Sequence, residues 1–164
     1  MFKKFLPQIY AESIYDIDLC ELKEKGIKAF ILDIDNTLAP YATPVGDDKL
    51  KGWIEVLSEQ GFKYYIASNN DGERVERFCA SINVPYIAKA GKPLRRGFMR
   101  ACEMMKVDPC ETAVVGDQLF TDIYGGNRLK MLTILVKPIS DVEGKFIKFK
   151  RFFERRILKN RWEW

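Results

Sequence analysis

The chain has no histidine and no CxxC pair among its four cysteines, Cys20, Cys79, Cys102 and Cys110. Zinc-ligand spacing is therefore missing, and a strong activity change near neutral pH would need a shifted carboxylate or a substrate's own second ionisation. Cysteines without a disulfide or metal framework read as reduced thiols, which predicts a cytoplasmic location. No run of about 18 apolar residues exists to cross a bilayer. The opening "MFKKFLPQIY" lacks the long apolar stretch of a secretory signal. There is also no internal repeat and no low-complexity linker. What is present, 164 residues with 47% hydrophobic and 13% aromatic content, suits one domain whose core stands without disulfides.

Charge is unevenly placed. The net charge is +4, yet residues 144–164 carry eight Lys or Arg against Glu154 and Glu163, a balance of +6. The remaining body therefore sums to −2. The expected organisation is a single domain over 1–142 followed by a basic, aromatic C-terminal helix over 143–164.

Within the body, short apolar runs alternate with helical patterns. "KAFILDI", "FKYYIAS", "VPYIAKA", "TAVVGD" and "LTILVKP" read as strands, and 47–60, 71–81, 95–106 and 119–130 read as helices. The first of these helices places Leu50, Trp53, Ile54 and Leu57 on one face. Fully apolar strands alternating with helices predict an α/β architecture, a three-layer, Rossmann-like arrangement around a central parallel sheet.

In such sheets ligands bind beyond the carboxyl ends of the strands. Strand one ends in Asp33, Asp35, Asn36 and Thr37, and strand two in Ser68, Asn69 and Asn70. Lys92 follows strand three in "AGKPLRRG", and strand four runs into Gly116 and Asp117, with Asp122 close behind. Each fragment alone reads equally well as a cap or a turn. Four in order at successive strand ends define a candidate site.

Two carboxylates at the tip of a buried strand repel by roughly 4 kcal/mol at an effective dielectric near 20, so a cation must stand among them or one must be protonated. Asp33, Asp35, Asp117 and Asp122 against Lys92 leave a local charge of −3. That repels a phosphate dianion unless a divalent cation is present, and Mg²⁺, a hard ion held by carboxylates and phosphate oxygens, suits the donors. One carboxylate can then act as nucleophile and the other as general acid and base. Ser68 and Lys92 can supply a hydrogen bond and a positive charge to the phosphoryl oxygens, with Thr37 and Asn69 as further candidate substrate ligands.

These motifs resemble those of the haloacid dehalogenase (HAD) phosphatase superfamily. "DIDNT" is similar to its first motif, Ser68 to the second, Lys92 and Pro93 to the third, and "GDQLFTD" to the acidic fourth. The resemblance implies that Asp33 is the nucleophile, Asp35 the acid and base, and Ser68 and Lys92 the phosphate ligands. It also implies Mg²⁺ held among Asp33, Asp35 and Asp117, with Asp122 as an outer or alternative ligand. An aspartate at position 35 favours phosphate ester hydrolysis over the dehalogenase and ATPase chemistries of the superfamily. Only one helix fits between Asp35 and the second strand, and only a helix and a short strand between Ser68 and Lys92, so the fold is expected to be capless.

A closer resemblance, to the YqeG family of capless subfamily IIIA phosphatases, rests on "FLPQIYAESIYDID", "LKEKGIKAFILDIDNTL", "IASNN", "AGKP" and "VVGDQLFTD". The eukaryotic relatives of that family include mitochondrial phosphatidylglycerophosphatase, so the implied substrate is a phospholipid, phosphatidylglycerophosphate. A nucleic-acid 3′-phosphatase is the leading enzymatic alternative, another small-molecule phosphatase a further one, and a non-catalytic scaffold the alternative from a different class.

On a helix, Phe146, Phe149, Phe153 and Ile157 would share one side and Lys148, Arg151, Arg155 and Lys159 the other. A basic amphipathic helix predicts peripheral contact with anionic membrane on its cytoplasmic face, with nucleic acid the less expected partner. The opposing reading is that the aromatic side packs on the domain.

Overall fold

A computed structural model describes residues 3–140, 153–154 and 156–158. Six strands form one parallel sheet: β1 (Ile9–Ala11), β2 (Ala29–Leu32), β3 (Lys63–Ala67), β4 (Tyr86–Ile87), β5 (Thr112–Gly116) and β6 (Leu132–Val136). Their spatial order is β1-β6-β5-β2-β3-β4. The five strands expected from the sequence are β2 to β6. β1 is an addition, three residues that pair Ile9 with Ile134 and Ala11 with Val136 at the sheet edge.

The helices are α1 (Leu19–Glu24), α2 (Asp48–Glu59), α3 (Gly72–Ile82), α4 (Arg95–Met105) and α5 (Tyr124–Asn127). Helix α2 starts where Asp47 accepts a hydrogen bond from the Leu50 N–H at 2.8 Å, satisfying one of the donors orphaned at a helix start. It buries the predicted Leu50, Trp53, Ile54 and Leu57. The pattern predicted over 119–130 is not one helix. It is a π-helical turn, Leu119–Ile123, running into the short α5.

Both faces of the sheet are covered, as continuous apolar strands require. Phe30 and Leu32 of β2 join α1, α2 and α3 in one cluster. Ala29 and Ile31 point the other way, against Phe98, Ala101, Cys102 and Met105 of α4. Successive strand residues alternate between faces, so one apolar run serves two cores. At Gly97 of α4 a Cβ would lie 2.4 Å from the Ala90 carbonyl oxygen. Only glycine lets this helix approach the segment that leads to Lys92.

From β2 the chain builds outward through β3 to β4, then crosses back to β5 on the other side of β2. The order therefore reverses between β2 and β5, the position where open α/β sheets form their ligand crevice. Leu32 is in register with Val115, and the Asp33 N–H donates to the Val115 carbonyl at 3.0 Å. Between Ala67 and Lys92 stand only α3 and β4, and between Leu32 and Lys63 only α2, so no cap domain is inserted. No helix among the described residues is long and apolar enough to cross a membrane.

Of the predicted C-terminal face, Phe146 and Phe149 and the basic positions Lys148, Arg151, Arg155 and Lys159 lie outside the described residues. The described positions are helical, and the side that packs on the domain carries Glu154 and Leu158, with Ile157 partly buried beside them. Phe153 is 43% exposed, whereas Leu158 is 1% exposed and packs with Leu119, Ile123 and Leu135. Glu154 is buried as well.

Candidate active site

The end of β2 delivers Asp33 into the crevice, and the chain then turns sharply. Asn36 adopts a left-handed backbone (φ 57°), a conformation that asparagine tolerates better than most residues. Its N–H donates to the Ala39 carbonyl at 2.7 Å. This turn keeps Asp33, Asp35 and Thr37 together at one strand tip. From β5, Gly116 leads directly into Asp117. A Cβ on Gly116 would lie 2.3 Å from the Asp122 carboxyl carbon. The absent side chain is what lets Asp122, five residues past Asp117, fold back onto the strand end.

Lys92 answers part of the charge problem posed by the sequence. Its Nζ donates to Asp33 Oδ1 at 2.5 Å and to Asp122 Oδ1 at 2.6 Å, with only 3% of the lysine side chain exposed. Burial alone would lower the lysine pKa, but the two carboxylates outweigh it and the group is raised. Burial pushes Asp33 up to about 7, with Lys92 opposing and Asp122 and Asp35 adding to the rise. A divalent cation beside Asp33 would favour its ionised form.

Three carboxylates, Asp33, Asp117 and Asp122, each offer an oxygen within 4.8 Å of the other two, all buried. Every donor is a hard oxygen and neither histidine nor cysteine belongs to the group, which fits Mg²⁺. The Thr37 hydroxyl reaches Asp117 Oδ1 at 3.5 Å, tying the first motif to the last. Asp122, expected as an outer or alternative ligand, sits inside this group.

The Asp35 carboxylate, expected among the metal ligands, is not in the group. Oδ1 accepts from the Ala42 N–H at 3.1 Å and from Arg74 Nη2, and Oδ2 from Arg74 Nη1 at 3.0 Å and from Asn70 Nδ2. Burial would raise its pKa, yet the bidentate Arg74, the Ala42 amide and Asn70 together hold it below the usual carboxylate value. Four donors occupy both oxygens. Arg74 is the cation that the sequence reading missed, and it reduces the local charge from −3 to −2. It sits in the first turn of α3, after "SNN", and only the packing of α3 beside β2 brings it to Asp35, so the sequence carried no local signal for the pair.

The second and third motifs meet through Asn69. Its side-chain amide donates to the Lys92 carbonyl at 2.9 Å, and its carbonyl accepts from the Lys92 N–H at 2.7 Å. Asn69 thus clasps the backbone of Lys92, whose bond to Pro93 is cis. Ser68, 1% exposed, accepts from the Asn70 N–H at 3.2 Å and from its side-chain amide at 3.1 Å. All eight predicted site residues lie at the carboxyl edge of β2, β3 and β5 or in the loop after β4. Such a site can present a buried carboxylate nucleophile, a second carboxylate two residues away and a lysine to a phosphoryl group.

Comparison with known proteins bears on the family and the fold. A family model described as "HAD-hyrolase-like" matches residues 89–138, the span holding Lys92, Asp117 and Asp122. A protein named probable phosphatase YqeG, from Bacillus subtilis, is 42% identical over 159 residues, covering 96% of this chain and 92% of that protein. The chloroplastic/mitochondrial phosphatidylglycerophosphate phosphatase 1 of Arabidopsis thaliana is 32% identical over 96% of this chain and 48% of its own length. Among solved structures, the cobalt-bound deoxy-D-mannose-octulosonate 8-phosphate phosphatase YrbI of Haemophilus influenzae superposes with a TM-score of 0.57. It is 16% identical, covering 83% of this chain and 90% of that one. A subfamily III A HAD hydrolase from Legionella pneumophila gives a TM-score of 0.52 at 17% identity, with 80% and 76% covered. The structural likenesses speak for the fold, and the Bacillus relative for the family: the chain belongs to the YqeG family of HAD-superfamily phosphatases.

Proposed function

We propose that this phosphatase removes the terminal phosphate of phosphatidylglycerophosphate through an aspartyl-phosphate on Asp33, with Mg²⁺ held by Asp33, Asp117 and Asp122. The observation that carries the chemistry is the buried triad of carboxylates sharing Lys92. When bound, the metal supplies positive charge that lets an anionic nucleophile approach an anionic phosphate. Asp33 attacks phosphorus, the bond to the leaving oxygen breaks, and Asp35 gives that oxygen a proton. Asp35 then takes a proton from water as the water attacks phosphorus, which frees inorganic phosphate and regenerates Asp33. Lys92 and the Ser68 hydroxyl steady the phosphoryl oxygens. Asp35 can carry its proton only after one of its four donors withdraws. Arg74, whose side chain is 28% exposed, is the donor with room to move.

The lipid assignment is supported by the names of the plant and yeast relatives, the latter phosphatidylglycerophosphatase GEP4, 29% identical over 77% of this chain. The capless site leaves room for a head group presented at a lipid surface. Peripheral contact with anionic membrane is part of the same proposal, and the exposed Phe153 and Arg156 on the C-terminal segment support it. Phosphate release from phosphatidylglycerophosphate in mixed micelles, beside nucleotides, sugar phosphates and 3′-phosphorylated DNA, tests the substrate. The lipid should give the highest kcat/KM, and a preference for the DNA end would replace this reading with that of a nucleic-acid 3′-phosphatase. Co-sedimentation with phosphatidylglycerol vesicles that weakens in high salt tests the membrane contact, and equal recovery with neutral vesicles contradicts it.

A further inference from the structure

The turn that carries Asp122 is held from outside by both ends of the chain. Leu119 and Ile123, at the two ends of this π-helical turn, are fully buried against Leu158 and Leu135, with Leu6, Tyr10 and Ile157 around them. Phe5 meets Phe120 edge-on at 5.5 Å and stacks on Tyr124 at 4.6 Å. The feature that packing alone does not explain is Glu154. It is a carboxylate only 2% exposed, on an otherwise strongly basic segment. Its Oε1 accepts a hydrogen bond from the Phe120 N–H at 3.4 Å.

Phe120 lies in the first turn of the run from Leu119 to Asn127, where backbone N–H groups have no partner within the helix. A carboxylate there satisfies an orphaned donor and meets the positive end of the helix dipole. The residue that does so comes from 34 positions downstream. Asp122 lies two residues beyond Phe120, with its Oδ2 accepting from Thr121 Oγ1 at 3.1 Å and from the Gln118 N–H at 3.4 Å. A shift of this backbone therefore shifts Asp122 relative to Asp33 and Lys92.

We propose that Glu154 is a positioning residue for the metal group: it fixes the turn that sets Asp122, so the C-terminal segment is part of the support of the site. The inference rests on the metal reading given under the proposed function. Outer partners of metal ligands typically change affinity by 10- to 100-fold. Since Glu154 acts through the backbone, the lower end applies.

The test is Mg²⁺ binding to the full chain by isothermal calorimetry, without substrate. Glu154→Ala should weaken the dissociation constant about tenfold while far-UV circular dichroism stays unchanged. Glu154→Gln, which keeps an acceptor for the Phe120 N–H, should bind nearly as the parent does. Equal affinity in parent and Glu154→Ala overturns the inference and leaves the phosphatase reading intact, as does a Glu154→Gln as weak as the alanine variant. A parent chain that binds no divalent ion overturns the metal reading and this inference with it. Should Glu154→Ala fail to fold, Glu154→Asp decides, because its carboxylate is one methylene short of the Phe120 N–H: it should weaken Mg²⁺ binding and speed exchange of the Phe120 amide, and parent-like affinity in Glu154→Asp overturns the inference.

Discussion

Lys92→Met removes the one charge shared by Asp33 and Asp122 while keeping most of the apolar stem. Two buried carboxylates with oxygens within 4.8 Å are then left facing each other. At an effective dielectric of 20 their repulsion is about 3.5 kcal/mol. The usual cost of deleting one partner of a buried ion pair, roughly 3–5 kcal/mol, is of the same size. A chain in this size range loses about 2–4 °C of Tm per kcal/mol, so thermal unfolding without metal at pH 8 should fall by roughly 6–20 °C. The pH dependence follows from Asp33, whose folded pKa already stands at about 7, above its unfolded value. A carboxyl raised in the folded state contributes stability below its unfolded pKa and loses it as pH rises through the folded one. Loss of Lys92 raises Asp33 further, so the gap between variant and parent should shrink from pH 8 to pH 5. Added Mg²⁺ should restore more Tm in the variant than in the parent. Differential scanning calorimetry reads all three. A fall of under 2 °C, or one equal at pH 5 and pH 8, refutes the electrostatic account of Lys92.

Asp35→Asn should slow an alkyl phosphate by about 10²–10⁴-fold and an activated aryl phosphate much less; equal slowing of both in steady-state assays removes the acid role. Arg74→Ala takes two of the four donors from Asp35. Its pKa is held low in the fold, so it contributes stability above the unfolded value that is lost as pH falls through the folded one. The variant should therefore lose Tm at pH 7 and show a flatter acid limb than the parent, and an unchanged acid limb would show that Arg74 does not govern Asp35. Below pH 7, Mg²⁺ binding should release protons as Asp33 ionises, measurable as a buffer-dependent calorimetric heat; no buffer dependence at pH 6 contradicts a protonated, metal-free Asp33. Chelator should abolish turnover, Mg²⁺ should restore it, and Ca²⁺ should not, because its larger, more flexible shell disturbs an octahedral geometry.

Periodicity alone located β2 to β6 and the apolar face of α2, because runs buried on both faces or along one stripe leave strong patterns. β1 has three residues and α1 six, too short to show a period. The 119–130 pattern reads as one helix because its apolar spacing is helical. The wide turn at Leu119–Ile123 arises from a tertiary demand instead, the approach of Asp122 across Gly116. Asp33, Ser68, Lys92 and Asp117 were legible because each ends a strand or follows one. Arg74 was not, since its partner lies 39 residues away and its meaning depends on how α3 packs. Glu154 was hidden by the opposite error: amphipathic reasoning places every charge outward, whereas this one turns inward to a backbone donor.

The proposed chemistry depends above all on phosphate passing through Asp33. Rapid acid quench of the Mg²⁺-loaded protein with ³²P-labelled phosphatidylglycerophosphate, followed by peptide mapping, tests it most directly. An acyl-phosphate label is expected on the peptide spanning Asp33, forming and decaying at rates consistent with turnover, and absent from Asp33→Asn. Label on any other residue, or phosphate release that continues in Asp33→Asn at the parent rate, would contradict it.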